Sequence, residues 1–270
     1  MPRQHGFTLV ELVMVIVLLG IVATISTQFV NLSVRGAIDL GDRQQRALQG
    51  VVISEQITRE LREAHPLSVR AGNQCIEWIS ARGATTYKTL PVEEVSRDVL
   101  ISPFGESVAD AIRNNPARFR LAVYGYSVSN FYDSSGDAAP ISSPVSAIED
   151  DGNVSGGKVS LTSAHRFNAR SPQKRIYVLE GPVSICQNRD TLYRFENYGL
   201  MPTQPSFVDL NNTADHGVMA ANLIANSFRV NSRPISLQRS AVVNFEFVLK
   251  AQNSEETTRV SQEVQIRNVP

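Results

Sequence analysis

One stretch of this chain restricts its options more than any other. After Glu11 no charged residue occurs until Arg35, and the intervening sequence is almost wholly aliphatic, fading into Thr24-Ile25-Ser26-Thr27-Gln28. A helix over residues 12–34 would hold 23 residues. At ~1.5 Å per residue that is about 34 Å, enough to cross a hydrocarbon core of ~30 Å. No later segment is comparable, so the sequence has one membrane segment, followed by about 235 residues.

Composition narrows what those residues can be. With 42% hydrophobic and 19% charged residues, the chain is too apolar for disorder and suits one large domain or two small ones. Lys plus Arg is 26 and Asp plus Glu is 26. That balance counts against a dedicated nucleic-acid binder, which needs surplus cations to displace counterions from phosphates. The four histidines (His5, His65, His165, His216) and two cysteines form no Cys-x-x-Cys or His-x-x-x-His pair, which argues against structural zinc.

The apolar run admits two ordinary readings. A secretory signal peptide would pair Arg3 with the apolar region and be cut near residues 24–26. The small-x-small site there is poor, however, and such a region does not normally begin with a carboxylate. An acid at the edge of the hydrocarbon costs a few kcal/mol, so a retained one usually has a partner. The other reading is a plain single-pass anchor. Neither accounts for the residues just ahead of the run, Gly6-Phe7-Thr8-Leu9-Val10-Glu11-Leu12.

That arrangement resembles the type III signal of type IV prepilins and of the pseudopilins of type II secretion. A short, slightly basic leader ends in Gly, then comes Phe-Thr-Leu-x-Glu and a long apolar helix. The resemblance implies cleavage by prepilin peptidase between Gly6 and Phe7, and N-methylation of Phe7. It implies that Glu11 guides assembly by approaching the N-terminal amine of a neighbouring subunit, a pairing that would offset the burial cost of both charges. The partners implied are other minor and major pilins, the inner-membrane assembly platform and membrane lipid; no cofactor is required. The implied location is the inner membrane, single-pass, with the C-terminal domain in the periplasm and the subunit carried into the pilus on assembly. One departure stands out. Many major pilins carry a proline partway along this helix, whereas residues 26–29 here read Ser-Thr-Gln-Phe. Gly20 is then the weak point before Gly36.

The helical pattern continues beyond the membrane. Ile53, Ile57, Leu61 and Ala64 form a stripe at i, i+4, i+8 and i+11, which predicts packing on the protein's own sheet. Arg59, Glu60, Arg62 and Glu63 cover the opposite face, and Glu55–Arg59 is a favourable i, i+4 pair. Pro66 should end the helix, biasing His65 away from αR and leaving it a surface or cap residue. Gly36, Gly41 and Gly50 suggest a less regular helix before the stripe.

From Cys75 onward the pattern predicts strands over 75–81, 85–90, 119–127, 158–162, 175–180, 183–187, 191–196, 228–230, 241–250 and 258–266. Residues 243–249 alternate as a sheet with one wet face should. Residues 108–113 could form a short helix, and 133–158 read as a long Ser/Asp/Gly/Pro loop. The fold class is therefore α+β and pilin-like, a long N-terminal membrane-spanning helix followed by a β-rich domain. The expected organisation is a leader at 1–6, a transmembrane part at 7–34, a periplasmic amphipathic helix at 35–65 and a globular domain at 66–270. A Pro after Arg59-Glu60-Leu61-Arg62-Glu63-Ala64, and the ending Val264-Gln265-Ile266-Arg267-Asn268, resemble the large minor-pilin group that includes PilW and the type II secretion J component.

A periplasmic domain whose only two thiols are Cys75 and Cys186 implies a disulfide between them, the alternative being two unrelated buried thiols. Catalytic signals are weak. Gly152-Asn153-Val154-Ser155-Gly156-Gly157-Lys158 fits part of a phosphate-binding loop, but Val159 replaces the hydroxyl that would hold magnesium. No G-x-S-x-G elbow occurs. Glu149-Asp150-Asp151 and Asp133-Ser134-Ser135-Gly136-Asp137 could offer oxygens to calcium, without EF-hand spacing, against the simpler reading of solvated acidic loops. A structural pilus subunit, a type II secretion pseudopilin and a pilus-tip adhesion or DNA-binding subunit remain open; an enzyme has no site to carry it.

Overall fold

A single helix, α1 (Leu9–Arg62), takes up the first part of the chain without a break. The computed structural model describes residues 8–72, 74–125, 127–133, 138–150, 157–232, 241–252 and 254–266. The chain divides into two compact units, 1–49 and 50–270. The expected α+β layout is what is found: a long apolar helix, then a β-rich domain of antiparallel sheets.

In the second unit the last turns of α1 are followed by β1 (Arg70–Gly72), β2 (Cys75–Thr89) and β3 (Ser96–Ile101). Next come α2 (Glu106–Asn114), β4 (Arg120–Ala122), α3 (Val128–Tyr132), β5 (Ile141–Asp150) and β6 (Gly157–His165). The chain continues through β7 (Arg175–Asn188), β8 (Thr191–Glu196), α4 (Phe207–Thr213) and β9 (Asp215–Ala220). It ends with β10 (Arg229–Ser232), β11 (Ala241–Lys250) and β12 (Thr257–Ile266).

The strands pair in the order β2-β3-β6-β5-β4-β7, and β7 pairs back onto β2, so this antiparallel ladder closes on itself. Val99, Ile101, Leu121, Val145, Val159, Leu161, Ile176 and Val178 form one buried cluster from β3 to β7. Closure removes the open edges that such short strands would otherwise expose. β2 and β7 are long enough to leave the ring. Beyond it, β2 takes β1 on its free edge, while β7 takes β8 and then β9.

The predicted helical stripe packs where expected. Ile53, Ile57, Leu61 and Ala64 share a buried cluster with Ile76, Trp78, Val183 and Ile185 of the extended sheet, and with Val243, Phe245 and Phe247 of the separate β10-β11-β12 sheet. Burying each large aliphatic chain is worth about 1.5–3 kcal/mol. Gly50 is what lets β12 come close: a Cβ there would lie 2.7 Å from Val260 Cγ2. β11 alternates buried and half-buried positions along its whole length, as its sequence predicts.

Several expectations are corrected. Gly36 and Gly41 do not interrupt α1, nor does Gly20, because an unbroken i→i−4 ladder tolerates isolated glycines at about 1 kcal/mol each. The Glu55–Arg59 pair does not form; Glu60 instead accepts from Arg194 Nε at 2.9 Å. The segments 75–81 and 85–90 form one strand, as do 175–180 and 183–187, with bulges absorbing the irregular middle. The supposed loop at 133–158 contains β5 and the start of β6; Ile141 and Val145 find buried places in the ladder despite the Ser and Pro around them. β1, β3, β9, α3 and α4 were not expected. For α4 a signal existed, since Ser206 and Asp209 form a capping box.

Candidate functional site in the N-terminal helix

Gly6 and Phe7, the expected cleavage and methylation residues, lie outside the described residues. The description begins at Thr8, whose Oγ1 accepts from the Glu11 N–H at 3.3 Å, while its carbonyl accepts from Leu12 N–H at 3.2 Å. Thr8 thus caps α1 and Glu11 occupies the third helical position, the spacing of a capping box. A carboxylate in the first turn also faces the positive end of the helix dipole. The residue that the resemblance assigns to assembly is therefore one that the helix start favours on its own account.

Past Glu11 the helix presents apolar side chains on every side: Leu12, Val15, Leu18, Leu19, Val22 and Phe29 are all exposed. A helix apolar all round needs either lipid or other helices about it. Two hydroxyls of the apolar span are satisfied within the helix. Thr24 Oγ1 donates to Ile21 O at 2.8 Å, and Thr27 Oγ1 reaches Ala23 O and Thr24 O at 3.0 and 2.9 Å. Such back-bonding lets polar side chains enter hydrocarbon without orphaned groups. The helix is long and apolar enough to cross a membrane.

A family model described as the prokaryotic N-terminal methylation motif matches residues 1–27. The N-terminus carries a type IV prepilin-like motif. Together with the apolar helix it supports a pilin- or pseudopilin-like protein, and the motif is one that prepilin peptidase processes. No curated protein matches the chain, and no solved structure does.

In the globular part, Cys75 and Cys186 face each other across β2 and β7 and are joined by a disulfide. The strands they join are direct neighbours, rather than distant parts of the sheet. His65 is not a surface residue. It is buried, its ring 4.5 Å from that of Phe131 and edge-on to Tyr177, with Nδ1 lacking a hydrogen-bond partner; burial pulls its pKa down to about 3. The extended backbone that Pro66 demands is present, but it turns His65 inward, where its N–H donates to Ile79 O. Of the phosphate-loop-like stretch, residues 152–156 lie outside the described residues. Lys158 opens β6 and pairs with Glu149 at 2.8 Å. Of the two acidic stretches, Asp151 and residues 134–137 also lie outside them, and no cluster of three or more metal-ligating side chains occurs among the described residues.

Sequence reasoning missed a buried polar network. Arg70 and Glu77 lie opposite in the β1–β2 register, with Arg70 Nε 2.6 Å from Glu77 Oε2. Tyr198 donates to Glu77 Oε1 at 3.1 Å and lies 2.7 Å from Ser184 Oγ. The Arg70 guanidinium stacks 3.6 Å above the Tyr132 ring and donates to the carbonyls of Met201 and Pro202. Burial raises the Glu77 pKa above the usual carboxylate range, while the Arg70 hydrogen bond opposes that rise. Burial also raises the Tyr198 pKa. This network ties the segment leading to α4 onto the sheet.

Proposed function

We propose that this chain is a minor type IV pilin of the PilW and J-component group, most similar among its members to MshO of the mannose-sensitive haemagglutinin pilus. In this reading prepilin peptidase removes residues 1–6 and Phe7 is methylated. Residues 7–34 hold the protein in the inner membrane, residues 35–65 continue the helix into the periplasm, and residues 66–270 form the periplasmic domain. The protein then helps start or cap a pilus, with no chemistry of its own. The observation that carries the reading is the methylation motif at residues 1–27 running directly into an unbroken apolar helix.

Glu11 serves in two ways: it sits in the capped first turn of its own helix, and its carboxylate meets a neighbour's terminal amine on assembly. In related filaments the foremost subunit can lack this glutamate, and by that analogy its retention here favours a position behind another minor subunit. Intact-mass and N-terminal analysis of membrane-extracted protein tests the processing step, with a chain beginning at methylated Phe7 as the expected result. A mature chain beginning near Thr27 overturns it. Glu11→Leu should still insert and be cleaved but lose co-purification with other minor pilins and reduce piliation; normal complexes and normal piliation would show that the carboxylate does not guide assembly.

A further inference from the structure

Among the described residues, the edge of the large sheet at β9 lacks the devices by which proteins protect open strands. Edges are normally shielded by charge, proline, shortness or a covering element. β12 carries Arg259 and Glu263 on its exposed positions, and β1 has only three residues. β9 has neither protection. Its first four residues are exposed and only Asp215, at its start, is charged. It pairs with β8 on one side, so along the other every second residue turns its N–H and C=O outward.

A second, independent observation lies beside that edge. Val218 on β9 and Val208 on α4 are 63% and 66% exposed. Between them Tyr193 and Phe207 are only partly buried, their rings 5.3 Å apart, with His216 edge-on to Tyr193. On the opposite face of β9 a groove of about 280 Å³ is lined by Gln56, Arg194, Glu196 and residues 215–219. An open ladder is thus flanked on one face by an apolar patch and on the other by a groove, the arrangement that lets an added strand place alternate side chains on both faces.

Charge selects the occupant. Residues 195–228 contain no Lys or Arg, whereas Glu196, Asp209 and Asp215 all lie in this segment. Arg194 is already engaged by Glu60 and Glu196. Glu196 is itself paired with Arg194 at 3.0 Å and Arg118 at 3.8 Å, so Asp215, its register partner at the exposed start of β9, carries the negative charge at that end.

We propose that β9 is an acceptor edge for an extended strand of another polypeptide. The strand adds antiparallel, with apolar residues at alternate positions over Val218 and Val208 and a Lys or Arg near its C-terminal end beside Asp215. The site does not rest on the N-terminal methylation reading, and either can fail without the other.

The test uses the full-length protein in detergent micelles and a short labelled peptide that alternates Thr and Val and ends in Lys. Anisotropy should report saturable binding, and hydrogen exchange should slow at the amides of residues 215–220. N-methylation of one alternate set of peptide residues should abolish binding and of the other set should leave it, the signature of strand addition. Val218→Lys and Asp215→Lys, both at exposed positions, should each weaken binding by about tenfold or more, while Val218→Thr should not. Absence of binding overturns the proposal, as does equal sensitivity to both N-methyl sets or unchanged exchange at 215–220. Self-association of the chain that Val218→Lys removes, with no peptide bound, would make a second copy the occupant and equally overturn it.

Discussion

Removing the Arg70 guanidinium should cost more than any surface ion pair could, and the cost should depend on pH in a direction fixed by Glu77. Glu77 is fully buried, and Arg70 is its only cationic partner among the described residues. Breaking a buried pair by truncating one partner typically costs about 3–5 kcal/mol, because the survivor is left uncompensated. With a urea dependence of about 2.5 kcal/mol per molar for a domain of this size, Arg70→Ala should lower the unfolding midpoint by about 1–2 M. Trp78, the only tryptophan, is fully buried next to Glu77 and supplies the fluorescence signal. The sign follows from the raised Glu77 pKa: the folded state holds this proton more tightly than the unfolded chain does. The group's contribution is therefore fully present below the ordinary carboxylate pKa and is lost as pH rises through the elevated folded value. Arg70 is what limits that elevation, so Arg70→Ala should widen it. The variant should be less impaired at about pH 5 than at about pH 8, because lower pH favours protonating the carboxyl left unpaired. The double variant Arg70→Met with Glu77→Leu should be more stable than Arg70→Ala alone, since an apolar pair removes the desolvation penalty. An Arg70→Ala cost that is equal at both pH values, or below about 1 kcal/mol, would refute the reasoning.

Three further outcomes are expected. His65 stays neutral in the fold, so stability should fall as pH drops from 6.5 toward about 3, a loss on the order of 4–5 kcal/mol; His65→Phe should flatten that part of the urea-midpoint profile. Reducing the Cys75–Cys186 disulfide, whose partners are 111 residues apart, should cost up to about 5 kcal/mol in the chain-entropy account, read as a lowered midpoint in reductant. Gly50→Ala should destabilise by about 1–3 kcal/mol despite alanine's helix preference, because its Cβ meets Val260; adding Val260→Ala should recover part of the loss in thermal melts.

Much about this protein was readable from local sequence because the physics there is local. The apolar span of α1 needs only hydrogen bonds within the helix, so its existence follows from composition and length. The stripe from Ile53 to Ala64 and the alternation of β11 each declare which face will be buried, whatever lies opposite. The two cysteines had only each other to pair with. Tertiary structure decided the rest. Ring closure depends on β7 pairing with both β2 and β4, contacts far apart in sequence that no periodicity encodes. β5 is a strand because β4 and β6 flank it, not because Ser and Pro favour extended structure. His65 does cap the short turn that begins at Pro66, yet its ring packs between Phe131 and Tyr177, and burial then set its charge. Burial is a property of everything packed around a residue, which is why Glu77 and His65 reveal their chemistry only in the folded chain.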